Sequence, residues 1–271
     1  MAETLSPDEP MSSFKLADAD KQDAARLAAV LDLLATRPAV QTLKSWALSA
    51  LQPAPGEAAL DVGSGTGEDL AEFAKRVGPA GRVVGVEPSA GLRTEALKRV
   101  SGVEVVDGDA VALSFEDESF DLIRCERVLQ HLTDPQQAVA EMARVLRPGG
   151  RIALIDTDWA TAIVHPVDPD VFRRLVEHFT AEAANPYSGR TLRGLLAATG
   201  LTITGETAAT WIEPQEGANE GFVPMIGRVA TAAGAITPTE GATFQAQITE
   251  AATRGAFHMS LTMYAVAAVK L

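Results

Sequence analysis

Ala59-Leu60-Asp61-Val62-Gly63-Ser64-Gly65-Thr66-Gly67 is the stretch on which the fold of this chain turns. A short apolar run ends in three glycines at alternate positions, and a helical segment, residues 68–77, follows at once. The pattern is a strand, a tight turn and a helix N-terminus, the place where open α/β sheets hold nucleotide-like ligands. Glycine lets the backbone turn sharply and lets a ligand lie against it with no Cβ in the way.

Two kinds of ligand use such turns, dinucleotides and S-adenosylmethionine. The dinucleotide fingerprint is G-x-G-x-x-G, whereas the spacing here is G-x-G-x-G. Glu68 and Asp69 follow the turn; they suit the helix dipole but not a nearby pyrophosphate. A sulfonium cation tolerates them. Downstream, Arg82-Val83-Val84-Gly85-Val86-Glu87 is a second apolar run ending in an acid, twenty residues after Gly67. A carboxylate at that strand end can accept both ribose hydroxyls. A third run, 103–106, leads to Gly108-Asp109-Ala110, where the acid can accept from an adenine amino group.

These segments, with 119–132 (SFDLIRCERVLQHL) and 146–156 (LRPGGRIALID), resemble the class I S-adenosylmethionine-dependent methyltransferases, in particular the small-molecule branch related to quinone biosynthesis. The resemblance covers roughly residues 58–156. It implies S-adenosyl-L-methionine as cofactor and a small molecule as substrate. Gly63, Ser64 and Gly65, with Gly67 closing the turn, would line the methionine and ribose. Glu87, beside Pro88, would hold the ribose hydroxyls, and Asp109 with Ala110 the adenine. Glu126 and Arg127 would border the cofactor. A protein of the same fold that uses the bound cofactor for another reaction, such as a cyclisation, or only as a binding module, would carry the same residues.

Strands are expected at 58–62, 82–87, 103–107, 120–125, 151–156, 201–212 and 257–269, alternating through the first part with helices at 68–77, 89–99 and 135–146. That alternation means a parallel sheet with helices on both faces, an α/β fold. The resemblance makes it a Rossmann-like seven-stranded sheet whose last strand is antiparallel. Residues 1–52 are read as an N-terminal helical lid, with two helices at 20–36 and from Pro38, and with 1 to about 17 mobile until the cofactor binds. Residues 53–271 form the methyltransferase domain, with helical cap insertions at about 157–199 and 213–256. Trp46 reads as core; Gln41 and Lys44 reach either the methionine carboxylate or solvent.

Methyl transfer from sulfonium needs alignment and exclusion of water. Only a hydroxyl acceptor calls for a base. His131, just beyond the fourth strand, is the first candidate, since histidine titrates near neutrality; its other reading is a residue that packs against the cofactor loop. Asp156, Asp158 and Trp159, expected in a turn after the fifth strand, can orient a cationic or hydroxylated substrate, the indole by a cation–π contact. Tyr187 is placed to face the same pocket. No cluster has metal-ligand spacing, so no metal is expected. Lone Cys125 reads as a small packed residue.

The chain has 271 residues, 46% apolar and 22% charged, with a formal net charge of −13. So acidic a surface argues against nucleic acid and anionic membranes, which need a basic footprint. The first ten residues lack the basic and apolar regions of a signal peptide, and no apolar run is long enough to span a bilayer. A reducing cytoplasm is the expected location.

Overall fold

The computed structural model describes residues 24–219 and 221–271. The segment expected to be mobile, 1 to about 17, and the start of the first expected helix lie outside the described residues.

Seven strands form one sheet in the order β3-β2-β1-β4-β5-β7-β6. They are β1 Ala58–Val62, β2 Arg82–Val86, β3 Glu104–Val106, β4 Phe120–Glu126, β5 Leu146–His165, β6 Thr202–Ile212 and β7 His258–Val269. The pairs β1–β2, β2–β3, β1–β4 and β4–β5 are parallel, and β7 runs antiparallel between β5 and β6. The expected α/β sheet with its reversed last strand is therefore present. Every residue of β1 is buried, as a central parallel strand requires. Its two faces feed different cores. Leu60 and Val62 join a core with Val139, Met142 and Leu192, and Ala59 one with Leu43, Leu70 and Phe73.

The helices are α1 Ala24–Ala35, α2 Pro38–Leu51, α3 Glu68–Val77, α4 Ala90–Arg99, α5 Pro135–Val145, α6 Pro169–Glu182, α7 Ser188–Ala198, α8 Phe222–Ala232 and α9 Pro238–Thr253. Local chemistry sets several starts. Pro38 and Pro135 occupy first-turn positions where no amide hydrogen is needed. The side chains of Ser89, Asp134, Asp168 and Thr237 accept from first-turn amides as N-caps. In α9, Glu240 returns the bond to complete a capping box.

Two stretches of β5 depart from the expected short strand. The Arg147-Pro148-Gly149-Gly150 turn is an excursion at the strand's entry, between the pairs Phe120–Leu146 and Leu122–Arg151. Farther on, β5 does not stop at 156. It pairs with β7 through Asp158–Thr262, bulges over 159–162, and resumes at Ile163–Ser260 as far as His165–His258. Asp156 and Asp158 thus lie in the strand, while Trp159 is thrown out by the bulge, a device that re-aims a side chain. Beyond it, the far ends of β5 and β7 and helices α6, α8 and α9 enclose a separate apolar core containing Leu175, Phe244, Ile248 and Leu261.

The two N-terminal helices differ in how they are held. Helix α2 buries Val40, Leu43, Ala47 and Leu51 in the core with strands β1, β4, β5 and β7, and Trp46 packs at its edge. Its apolar face is thus part of the sheet's core. Helix α1 lies along α4, with an exposed Asp32–Arg99 ion pair at 2.6 Å, and leaves Val30 and Leu33 47% and 58% exposed. Its Leu31 stands over the glycine turn, 3.5 Å from where a Cβ on Gly65 would be. Backbone amides of α2 are expected to exchange with solvent as slowly as those of β1, and those of α1 much faster, because few apolar contacts hold it. Hydrogen-exchange mass spectrometry checks this; equal protection of both helices contradicts it.

Candidate functional site

Between β1 and β4 the connections leave the sheet in opposite directions, and a cleft opens at the strands' carboxyl ends. The glycine turn fills one lip. Gly63, Gly65 and Gly67 have φ of +75°, +52° and +79°. A side chain on Gly63 would overlap Val128 just beyond β4. The turn is tied to β2, since the Gly63 and Ser64 amides both donate to the Val86 carbonyl. Ser64 is buried and its Oγ has no partner among the described residues; it lies close over Gly85 of β2.

Glu87 stands where expected, just past β2, and is 4% exposed. Its Oε2 accepts from the Gly65 amide at 3.0 Å and its Oε1 from the Ser89 amide at 2.9 Å. The carboxylate is therefore fixed against the turn. Exposed Pro88 follows, its carbonyl accepting from Arg93. Asp109 is exposed and accepts from the Val111 amide at 3.1 Å, while Ala110 is buried.

The other lip is the end of β4. Arg124, 4% exposed, points its guanidinium among three carboxylates: Asp61 of β1 at 3.6 Å, Asp69 of α3 at 2.6 Å, and Glu126. Lys44 of α2 adds bonds to Glu68 and Asp69 at 2.6 and 2.9 Å, so it belongs to this network. Gln41 caps the end of α1, donating to the Ala35 carbonyl. Burial raises Asp61 to about 7, with the Arg124 charge opposing and Asp69 and Glu126 adding to the rise. Burial also pushes Asp69 up, but Arg124 and Lys44 outweigh it and hold the carboxyl below its ordinary range. Cys125, between these residues, is a buried thiol pushed well up by desolvation.

Arg127 adopts a left-handed conformation, φ +54°, which costs a residue with a Cβ roughly 1–2 kcal/mol. Its surroundings impose it. The Arg127 amide donates to the Ile155 carbonyl at 2.8 Å, its Nε to Glu126 at 3.1 Å, and its carbonyl accepts from Gln130 Nε2 at 3.2 Å. The chain then makes a short 3-10 turn, Leu129–His131, which places His131 half-buried at the cleft's edge.

Asp156 and Asp158 are fully buried, and their carboxylates are engaged by protein groups. Asp156 accepts from the Gln130 amide at 3.0 Å, the Ser188 hydroxyl at 2.9 Å and the Thr157 amide at 2.8 Å. Asp158 pairs with Arg190 of α7. These acids, expected to orient a substrate, thus bind the wall of the cleft together. Trp159 is half-buried. Its indole N–H donates to Gln130 Oε1 at 2.8 Å, and its ring meets Phe179 and Phe222 at 5.0 and 4.8 Å between centroids. Tyr187 is 43% exposed, with the Arg190 guanidinium 5.1 Å from its ring centre. Among the described residues, no three metal-ligating side chains are grouped to share an ion. Arg124, Gln130 and Ser188 did not stand out in the sequence. Only the interruption of an apolar strand by an arginine, Leu122-Ile123-Arg124-Cys125, hinted at the first of them.

Residues 60–154 match the family described as Methyltransferase domain, and the fold is shared with solved methyltransferases. Among curated relatives, an uncharacterized 37.1 kDa protein in transposon TN4556 of Streptomyces fradiae is 43% identical over 177 residues, 64% of this chain and 51% of that protein. The ubiquinone/menaquinone biosynthesis C-methyltransferase of Hahella chejuensis is 39% identical over 107 residues, 37% of this chain and 43% of that protein. The chain thus spans about half the length of these relatives, or less. Of solved structures, a protein of Bacillus halodurans assigned as a methyltransferase superposes with a TM-score of 0.58 at 20% identity, covering 84% of this chain and 99% of that one. Geranyl diphosphate C-methyltransferase of Streptomyces coelicolor, solved with S-adenosyl-L-homocysteine, gives 0.53 at 16% identity, over 85% and 79%. Residues 60–154 thus match a methyltransferase domain family, and over part of its length the chain is similar to a methyltransferase of quinone biosynthesis.

Burial raises the Asp156 carboxyl to about 7, against the bonds from Thr157, Ser188 and Gln130 that favour its charged form. The folded protein therefore keeps a proton there that the unfolded chain has released above about pH 4. Asp156 lowers stability as pH rises from about 4 to 7, with a slope of about 1.4 kcal/mol per pH unit for one proton. In urea denaturation across that window, Asp156→Asn is expected to lose stability with pH less steeply than the wild type. Equal slopes would show that Asp156 titrates normally.

Proposed function

We propose that the protein transfers the methyl group of S-adenosylmethionine to a small-molecule metabolite held under its helical cap. The observation that carries this is the left-handed glycine turn with the Glu87 carboxylate bonded to its Gly65 amide at 3.0 Å. Gly63, Gly65 and Gly67 present backbone free of Cβ atoms to the methionine and ribose, with Ser64 between them, and Glu87 with Pro88 faces the ribose hydroxyls. Asp109 offers an exposed carboxylate to the adenine amino group, with Ala110 against the ring. Glu126 and Arg127 border the methionine end. When bound, the cofactor supplies an electrophilic methyl group. The chain's part is to align the acceptor with it and exclude water.

The acceptor side is formed by Trp159 and Tyr187, with Asp156 and Asp158 behind them as scaffold. An apolar or aromatic acceptor, on oxygen, nitrogen or carbon, fits an indole and phenol wall better than a strongly charged one does. Of the N-terminal helices, α1 is the one placed to act as a lid, through Leu31 over Gly65. His131 serves as base if the acceptor is a hydroxyl.

Calorimetry is expected to show binding of S-adenosylmethionine and S-adenosylhomocysteine with no comparable affinity for NAD. Gly65→Val, which puts a branched side chain into the turn, should abolish it, and Glu87→Ala should weaken it by about 1–3 kcal/mol, the scale of a charge-assisted hydrogen bond. Wild-type affinity in Gly65→Val would sink the cofactor assignment.

Turnover of methyl-labelled cofactor against a metabolite panel tests the reaction itself. With a hydroxyl acceptor, His131→Ala should lower the maximal rate by about 100-fold or more and flatten its rise with pH, leaving cofactor affinity nearly intact. A full rate and an unchanged profile would remove His131 from the chemistry. Product formed from the panel with no label transferred would instead favour a cyclisation-type reaction in the same cleft.

A further inference from the structure

Gln130 occupies an unusual place. It is buried in the 3-10 turn after β4, and its one side chain reaches two parts of the site. Its Nε2 donates to the carbonyl of Arg127 at 3.2 Å, on the cofactor side. Its Oε1 accepts from the Trp159 indole at 2.8 Å, on the acceptor side. A carbonyl can only accept and an indole N–H can only donate, so one orientation of the amide satisfies both. Asparagine is a methylene too short to span them, and a hydrocarbon side chain can serve neither.

What Gln130 touches at each end matters. At one end is Arg127, a non-glycine residue with a positive φ, whose left-handed backbone persists because its neighbours impose it. At the other end is the ring thrown out by the β5 bulge, which packs with Phe179 of α6 and Phe222 of α8. The turn's own backbone is secured separately. The Gln130 amide donates to Asp156, the Gln130 carbonyl accepts from the Asn185 amide, and the Leu129 carbonyl from Asn185 Nδ2. The Gln130 side chain is therefore not needed to hold the turn in place.

We propose that Gln130 is a positioning residue, which couples the cofactor-side backbone at Arg127 to the Trp159–Phe179–Phe222 cluster. The proposal rests on the cofactor reading of the cleft given above. Cofactor against Arg127 fixes the carbonyl that the Gln130 amide bonds, the amide fixes the indole, and the indole sets the aromatic wall that an acceptor meets. Coupling of this kind is reciprocal, so a ring seated on Trp159 tightens the hold on the cofactor.

The chain has three tryptophans, so a Trp46→Phe, Trp211→Phe parent reports Trp159 alone by fluorescence. Saturating S-adenosylhomocysteine is expected to shift or quench the Trp159 emission of this parent. Gln130→Met in the same background should keep the fold by far-ultraviolet circular dichroism and bind the ligand about tenfold more weakly at most. Its Trp159 response at saturation should be lost. Gln130→Asn, smaller and still polar, repeats the test should the methionine variant fail to fold. A full Trp159 response in the Gln130 variants overturns the proposal, as does a parent that binds the ligand by calorimetry with no Trp159 response. A parent that binds no S-adenosylhomocysteine in the calorimeter refutes the cofactor reading instead.

Discussion

One buried guanidinium, that of Arg124, sits where everything in the site meets. It joins the end of β1 through Asp61, the first turn of α3 through Asp69, and the end of β4 through Glu126. These are the elements that define the cleft: the strand entering the glycine turn, the helix leaving it, and the facing lip. Desolvating so many charges is expensive, and buried ion pairs seldom add net stability over well-packed apolar groups. Their value is geometric. A planar fork of donors fits carboxylates from only certain directions, so the network sets how the two lips face each other. Lys44 extends the same constraint to α2.

The second constraint lies across the cleft. Asp156 and Asp158 close polar contacts between β5, the turn after β4 and the start of α7. Because both acids are buried, this side of the cleft can be walled by apolar and aromatic groups, with the Gln130 and Thr157 amides paired to Asp156. The β5 bulge then turns Trp159 out of the strand's alternation and into the aromatic cluster under the cap. The cleft and the separate apolar core are thus joined by one strand, the parallel part of β5 flanking the cleft and its extension packing in that core.

Much of this was written in local sequence. Three alternate glycines after a buried apolar run can only be a turn that no Cβ may crowd, and the structure gives each a left-handed φ. Pro38, Pro135 and the Asp134 cap announced helix starts because their backbone chemistry is confined to one residue and its neighbours. Glu87 and Asp109 were placed by counting from one strand end to the next. The extension of β5 was not visible, since Asp156, Asp158 and two threonines look like turn residues until β7 and α7 supply partners for them.

What the sequence determined by itself was the order of elements, the parallel sheet and the position of the ligand turn, all of which follow from periodicity and from glycine and proline stereochemistry. The fate of each polar side chain was decided only by tertiary structure. Lys44 and Arg124 belong to one network although eighty residues separate them, and Gln130 meets Trp159 across 29 residues of chain. Asp156 was legible as a carboxylate near the cleft but not as a buried one. Burial and hydrogen-bond partnership are properties of what the chain brings together, and a side chain's charge and role depend on that dielectric and those partners rather than on its own identity.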